Sequence, residues 1–323
     1  MKNLSKKLAL ILSFVLLMAT VPALAESELP LIGIIQLMEH PALDDARLGF
    51  LEGLKELGFE DGKNIRIDHR NGQGDKATLS SIADHFVSEN AALVLAIATP
   101  AAQTMAEKSS SIPILATAIT DFVEARLAES NEKPAFNVSG TTDMNPIDAQ
   151  IALIQRLVPD VQTIGLVYNS SEDNSVLQAR LAHEAIEKLG LKWKDATANT
   201  INDVQQAVMS LVGEVDALYV PTDNVVASAM PVVYEAAMSQ KIAVICGEAG
   251  QVRSGGTATL GMSYFNLGKQ TAQMAVDVLN GADISLMPIQ AQTEYAYLIN
   301  KTMADALGLT IPEDLMPFAE TFE

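Results

Sequence analysis

The chain has 323 residues and a formal net charge of −19, from 21 basic against 40 acidic residues. That balance repels nucleic acid and anionic lipid surfaces, which excludes charge-driven binding to either. A single cysteine, Cys246, excludes an internal disulfide framework.

Residues 1–25 have the form of a cleaved secretory leader. Lys2, Lys6 and Lys7 make a positive start, Leu8 to Val21 an apolar core, and Ala23-Leu24-Ala25 a small-x-small cleavage site. The apolar run is short for a membrane anchor and the cleavage signal follows it directly. No cysteine lies near that point to carry a lipid, so the mature chain is expected to begin at Glu26 and to diffuse freely. No later stretch is apolar for long enough to span a bilayer.

The pattern that follows alternates between two periods. LIGII (31–35) reads as a buried strand, and residues 42–57 place Leu43, Ala46, Phe50, Leu54 and Leu57 on one helical face. NIRIDHR alternates as a strand, and DKATLSSIADHFVSEN carries a helical stripe of Leu79, Ile82 and Phe86. ALVLAIA is a continuous apolar strand. TPAAQTMAEK is a short helix with Thr99 at the N-cap and Pro100 at its first position, and IPILATAI is another apolar strand. Continuous apolar strands between helices indicate a parallel sheet covered on both faces.

The pattern then restarts. A helix in PIDAQIALIQRLVPD is followed by the strand TIGLVYN and the helix NSVLQARLAHEAIEKLG. LKWKDATAN, ALYVPTD and IAVICGE read as strands, with helices at about 202–213 and 225–240 between them; within IAVICGE, Cys246 reads as a small buried hydrophobe. TATLGMSY, NLGKQTAQMAVDVLNG and TEYAYLINKTMADALG read as returns between two lobes. The predicted fold class is α/β, with two Rossmann-like, doubly wound lobes joined by a hinge of several crossings. Lobe one takes 31–140 with 264–291, and lobe two takes 141–263 with 292–323.

Ligands of open parallel α/β sheets bind beyond the carboxyl ends of the strands. Those ends carry Gln36 with Glu39, Thr99, and Thr120 with Asp121 in lobe one. Lobe two carries Asn169, Ser170 and Ser171, then Asp223 with Asn224, then Glu248, and SGTTD (139–143) lies between the lobes. No basic side chain is among them. Helix N-termini hold an anion without one, and Asp121, Asp223 and Glu248 can hold a cation. A ligand with a carboxylate and an ammonium, a free amino acid, suits both sets. Each residue taken singly is also an ordinary cap or turn residue.

Catalytic and cofactor signatures are missing. There is no G-x-S-x-G elbow, phosphate-binding P-loop or H-E-x-x-H pair, and NGQGD (71–75) has the wrong spacing for a dinucleotide. His183 and Glu187 lack a third ligand and read as a solvated helix face. His40, beside Pro41, suits helix entry as well as a gating role. Neither an enzymatic activity, a cofactor nor a metal is expected; a hydrolase or lyase using Asp223 or Glu248 as base is the remaining catalytic reading.

Taken in order, IGIIQLMEHPALDDARLGFLEGL, IATPAAQ, TAITD, SGTTD, IGLVYNSSEDNS, YVPTDN and GMSYFNLGKQTAQMA resemble the substrate-binding proteins of ABC importers. The resemblance is to the group whose members bind tryptophan, tyrosine or phenylalanine, and it covers essentially the whole mature chain. It implies lobes that close on the ligand and deliver it to a membrane permease and its ATPase, from a monomer in the periplasm. It also implies that Thr99, Thr120, Ser170, Ser171, Asn174 and Asp223 fall near the amino-acid backbone. Gln36 and Glu39 are then expected at the lip of the cleft. Tyr168, Phe122 and Tyr264 are candidates to stack on a ring, with Met38 or Met262 as padding. A branched-chain or other apolar amino acid, and a sensor role presenting the ligand to a membrane receptor, are the alternatives.

Overall fold

The computed structural model describes residues 29–322; the expected leader at 1–25 and the start at Glu26 lie outside the described residues. The chain begins with β1 (Leu31–Gln36), α1 (Pro41–Glu56), β2 (Arg66–Asn71), α2 (Lys76–Ser88), β3 (Leu93–Ile97), α3 (Thr99–Lys108), β4 (Ile114–Ile119) and β5 (Val138–Thr142). It continues through α4 (Ile147–Leu157), β6 (Thr163–Tyr168), α5 (Asp173–Lys188), β7 (Lys192–Thr197), α6 (Val204–Leu211) and β8 (Ala217–Val220). After these come α7 (Asn224–Ser228), α8 (Met230–Gln240), β9 (Ala243–Cys246), α9 (Ala249–Arg253) and β10 (Ala258–Gly261). The last part is α10 (Tyr264–Leu279), β11 (Gln290–Ala291), β12 (Ala296–Asn300), α11 (Lys301–Leu307) and β13 (Ala319–Glu320).

These strands form two sheets, ordered β11-β5-β4-β3-β1-β2 and β13-β12-β10-β9-β8-β6-β7. Each sheet centres one lobe, and the chain passes between the sheets three times: after β5, after β10 and after β11. The first sheet is parallel throughout. The second is parallel except that β12 runs antiparallel to β10. The reason is the route: β12 starts at the end of the sheet where the chain re-enters from lobe one, so it must run back against its neighbour.

Central strands read as unbroken apolar runs because both of their faces are covered. β1, β3, β8 and β9 are buried at every residue, and Cys246 is a buried free thiol within β9. Helix α1 buries Leu43, Ala46, Phe50 and Leu54 as its periodicity predicts. It lies so close to α10 that a Cβ on Gly268 would stand 2.0 Å from the Ala46 carbonyl oxygen. No other residue allows two helices to approach in that way.

Three local readings change. SGTTD is mostly strand β5, and its Thr141 hydroxyl is hydrogen-bonded in the core to Thr117 at 2.9 Å and Thr271 at 2.8 Å. The expected helix at 225–240 is two helices, broken at Ala229 ahead of Pro231. Thr99 is the first residue of α3; the cap position falls on Ala98, whose φ is +80°. Ala118 in β4 also has positive φ, +57°, beside an irregularity in the β4–β5 register. Both strained alanines end central strands of lobe one, where such conformations are kept only if the surroundings enforce them.

Candidate functional site

Among the spaces between the lobes, two gather most of the polar residues that follow the strands. The larger is a cleft of about 290 Å³ walled by Leu37, Met38, Leu79 and Pro100 of lobe one and Val225 of lobe two. Lys76, Thr104 and Glu107 of lobe one and Asn169, Ser171 and Glu172 of lobe two add polar groups to the same walls. An apolar cavity with a few convergent polar groups is the usual form of a small-molecule site, and this one is at the small end of the range. The smaller is a seam lined by His40, Thr120, Asp143, Asn174, Asp223 and Glu248 among others. Its free volume is about 10 Å³, room for about one water.

The lobes touch directly around these spaces. Gln178 Nε2 donates to Thr120 Oγ1 at 3.1 Å and to Thr222 Oγ1 at 2.6 Å, tying lobe two to lobe one. Gln103 Nε2 donates to Asp173 Oδ2 at 2.9 Å. His40 Nε2 lies 3.2 Å from Asn224 Oδ1. Because Asn224 Nδ2 donates to Glu172 Oε2 at 2.6 Å, its Oδ1 must accept, so His40 carries its proton on Nε2. His40 Nδ1 is then a bare acceptor, buried without a partner among the described residues. Burial pushes the pKa of His40 down to about 4, so the ring is neutral.

The buried acids show how location decides role. Asp223 caps α7 through Val226 N–H at 2.8 Å on Oδ1, while Oδ2 accepts Asn169 N–H and the Ser175 hydroxyl, each at 2.6 Å. Glu248 caps α9 by accepting the Gly250 and Gln251 amides. Asp143 accepts the Tyr264 hydroxyl. Among the described residues Glu172 is met only by amide side chains, from Asn169 at 3.1 Å, Asn174 at 3.3 Å and Asn224 at 2.6 Å.

Burial raises all four of these acids. Asp143 is pushed up to about 6, Glu248 to about 7, and Glu172 to about 7 with the Asp223 charge adding to the burial effect. Asp223 is raised by burial as well. Each group holds a proton more readily folded than unfolded. The folded state is therefore favoured below the ordinary carboxylate range, and loses that advantage as pH rises from about 4.5 to about 7. The unliganded protein is expected to melt at a higher temperature at pH 5.5 than at pH 8. The difference should shrink in an Asp143→Asn, Glu248→Gln double variant. An undiminished difference would assign the effect to general surface charge.

Nine of the eleven site residues expected from sequence separate into four groups. Thr120, Asn174, Asp223, Asn224 and Glu248 are brought together around the seam. Ser171 lines the cleft. Thr99 and Asp121 share a shallow crevice with Asn174, where Asp121 caps a turn through Val123 and Glu124. Ser170 is exposed and donates to Asn199 at 3.0 Å.

Gln36 is not at the lip of the cleft, while Glu39 stands between Met38 of the cleft and His40 of the seam. Gln36 is fully buried, and its amide is held inside lobe one by the Met38 carbonyl, Asp44 and Arg47. Glu39 is exposed and lines neither space. Nor do the aromatic candidates reach the cleft. Phe122 is in the lobe-one core, Tyr264 bonds Asp143 in the seam, and Tyr168 donates to Asp195 on β7 at 3.1 Å. Met38 does pad the cleft; Met262 does not.

Sequence reasoning missed Glu172, Gly74 and Lys76. Glu172 was visible as the first of two adjacent acids, with Asp173, in the run NSSEDNS. Gly74 belongs to the loop 71–75, whose Gly72 and Gly74 amides bond the Gln36 and Leu37 carbonyls and so bring the start of α2 to the cleft. Lys76 corrects the expectation of a site without a basic side chain. His183 and Glu187 hold a surface together: His183 stacks on Trp193 with ring centres 3.7 Å apart, and Glu187 accepts the Trp193 indole N–H. Among the described residues, no cluster of His, Cys, Asp and Glu is placed to hold a metal, and no helix is long and apolar enough to cross a membrane.

Comparison with known proteins gives three kinds of likeness. A family profile described as "ABC transporter substrate binding protein" matches residues 31–322. A protein of Clostridioides difficile named "Tyrosine-binding protein" is 43% identical over 278 residues, spanning 86% of this chain and 81% of the relative. A Streptococcus pneumoniae structure described as an ABC domain in complex with L-Trp superposes with a TM-score of 0.88 at 36% identity, covering 91% of this chain and 100% of that one. A ligand-free, open structure of a substrate binding protein with adhesive properties from Clostridium difficile covers the same shares at 43% identity, with a TM-score of 0.70.

Proposed function

The chain belongs to the family of ABC transporter substrate-binding proteins, and from that premise we propose that it binds a free aromatic amino acid between its lobes and delivers it to a membrane permease driven by an ATPase. The observation that carries this reading is the cleft of about 290 Å³, with five aliphatic or proline walls for a ring and polar groups from both lobes. The tyrosine-binding and Trp-bound relatives support the choice of an aromatic ligand. Aliphatic walls suit a ring because they give it dispersion contacts without a fixed stacking plane. Lys76, at the cleft rim, and the Ser171 hydroxyl are available to the ligand carboxylate. The protein works outside the cytoplasmic membrane, consistent with the leader read in its first 25 residues.

A thermal-shift screen of the twenty amino acids tests the reading. Tyrosine, tryptophan or phenylalanine is expected to raise the melting temperature. Ligand at 100 times its dissociation constant adds about 2.7 kcal/mol of stability. A screen in which no aromatic amino acid shifts the transition would remove the proposal.

A further inference from the structure

We propose that Glu172, with the side-chain oxygen of Asn174 beside it, receives the ligand's ammonium, and that Asp223 does not. The inference rests on the amino-acid reading above and names the residues that would recognise the charged end of the ligand.

Position comes first. Glu172 lines the same cleft as the aliphatic walls, so one small molecule can touch both. Asp223 lies in the adjoining seam, which has room for about one water; Asn174 lines that seam too, but its side chain is bonded to Glu172 at 3.3 Å and so stands where the two spaces meet.

Hydrogen-bond accounting separates the two acids further. The Asp223 oxygens accept from two backbone amides and a hydroxyl that belong to the fold. The Glu172 carboxylate has about four lone-pair sites. Three are filled by the amides of Asn169, Asn174 and Asn224, and the free one is on Oε1. No cation pairs with Glu172 among the described residues, although the side chain is buried. A buried ion without a counter-charge is strongly disfavoured.

The neighbouring amides point the same way. Asn169 Oδ1 accepts the Ser171 amide at 2.9 Å, and Asn224 Oδ1 faces His40. Asn174 Oδ1 alone is left buried without a donor. An ammonium brings a charge for Glu172 and donors for Oε1 and for Asn174 Oδ1. A neutral ligand head would supply no charge.

The charged and titratable groups around Glu172 are Asp223 behind it, Asp173 on α5, His40 across the seam and, at the cleft, Lys76 and Glu107. His40 is neutral, and the Asp223 carboxylate favours keeping the proton on Glu172. An arriving ammonium favours the ionised form. Binding should therefore release a proton below about pH 7, and affinity should rise with pH across that range.

Calorimetry decides the matter, with L-tyrosine, L-tryptophan and L-phenylalanine as probes and their deaminated 3-arylpropionates as controls. Glu172→Gln is expected to weaken the amino acids roughly 30-fold or more while leaving the arylpropionates unchanged or tighter. Titration of the unmodified protein at pH 6.5 in two buffers of different ionisation heat is expected to show proton release, a readout that needs no variant to fold. If the amino acids bind but Glu172→Gln binds them as well as the parent, or no proton is released, the assignment fails and the functional reading stands. If no aromatic amino acid binds the parent protein, the functional reading fails and takes the assignment with it.

Discussion

Asp223→Ala should lower the folding stability by roughly 2–4 kcal/mol, measured by urea unfolding of the unliganded protein. The substitution leaves the Asn169 and Val226 amides and the Ser175 hydroxyl without an acceptor in a buried region with room for about one water. Each buried donor left unmade costs about 1–3 kcal/mol, and losing the cap of α7 adds about 1. Relief of the repulsion with Glu172 offsets part of this, which is why the expected total is below the simple sum. Asp223→Asn keeps one acceptor oxygen and should cost less. A change below about 0.5 kcal/mol for the alanine variant would mean that these bonds are replaced by water, and that the carboxylate is free for other work.

The second large effect is on shape. Addition of the aromatic ligand should reduce the radius of gyration in small-angle scattering, because the described conformation is a closed one. Gln178, Gln103 and His40 bond directly across the lobes. The fold also superposes better on the Trp-bound relative, at 0.88, than on the more similar open one, at 0.70. A ligand that contacts both lobes binds the closed form better and shifts the population toward it. Gln178→Ala removes the Thr120–Thr222 bridge and should leave the unliganded protein more open. An unchanged radius, with binding established by calorimetry, would mean either that the free protein is already closed or that it does not hinge. Scattering of the free protein against open and closed two-lobe shapes separates those cases.

Much of the architecture was legible because hydrophobic periodicity is a local property. Phe50 and Leu54 mark the inner face of α1, and the unbroken apolar runs of β1, β3 and β9 mark strands covered on both sides. The strand ends followed, and with them the place where a ligand belongs. The resemblance of ordered segments such as YVPTDN and SGTTD supplied the family expectation, which composition and periodicity do not contain.

Roles at the strand ends were not legible in the same way. Gln36, Asp223 and Glu172 are all polar residues at or just past a strand, and nothing in their neighbours along the chain distinguishes them. Gln36 turns into lobe one because Asp44 and Arg47 of α1 bind its amide there. Asp223 is a structural cap because the Asn169 amide, 54 positions away, reaches its carboxylate. Glu172 is buried without a cation because Asn224, 52 positions away, brings an amide and not a lysine. Sequence by itself determined the two-lobe α/β frame and its polar rim, since burial of apolar faces depends on spacing alone. Tertiary structure decided which acid on that rim is engaged by the fold and which keeps a free acceptor, since a carboxylate's role depends on donors that only folding brings within about 3 Å.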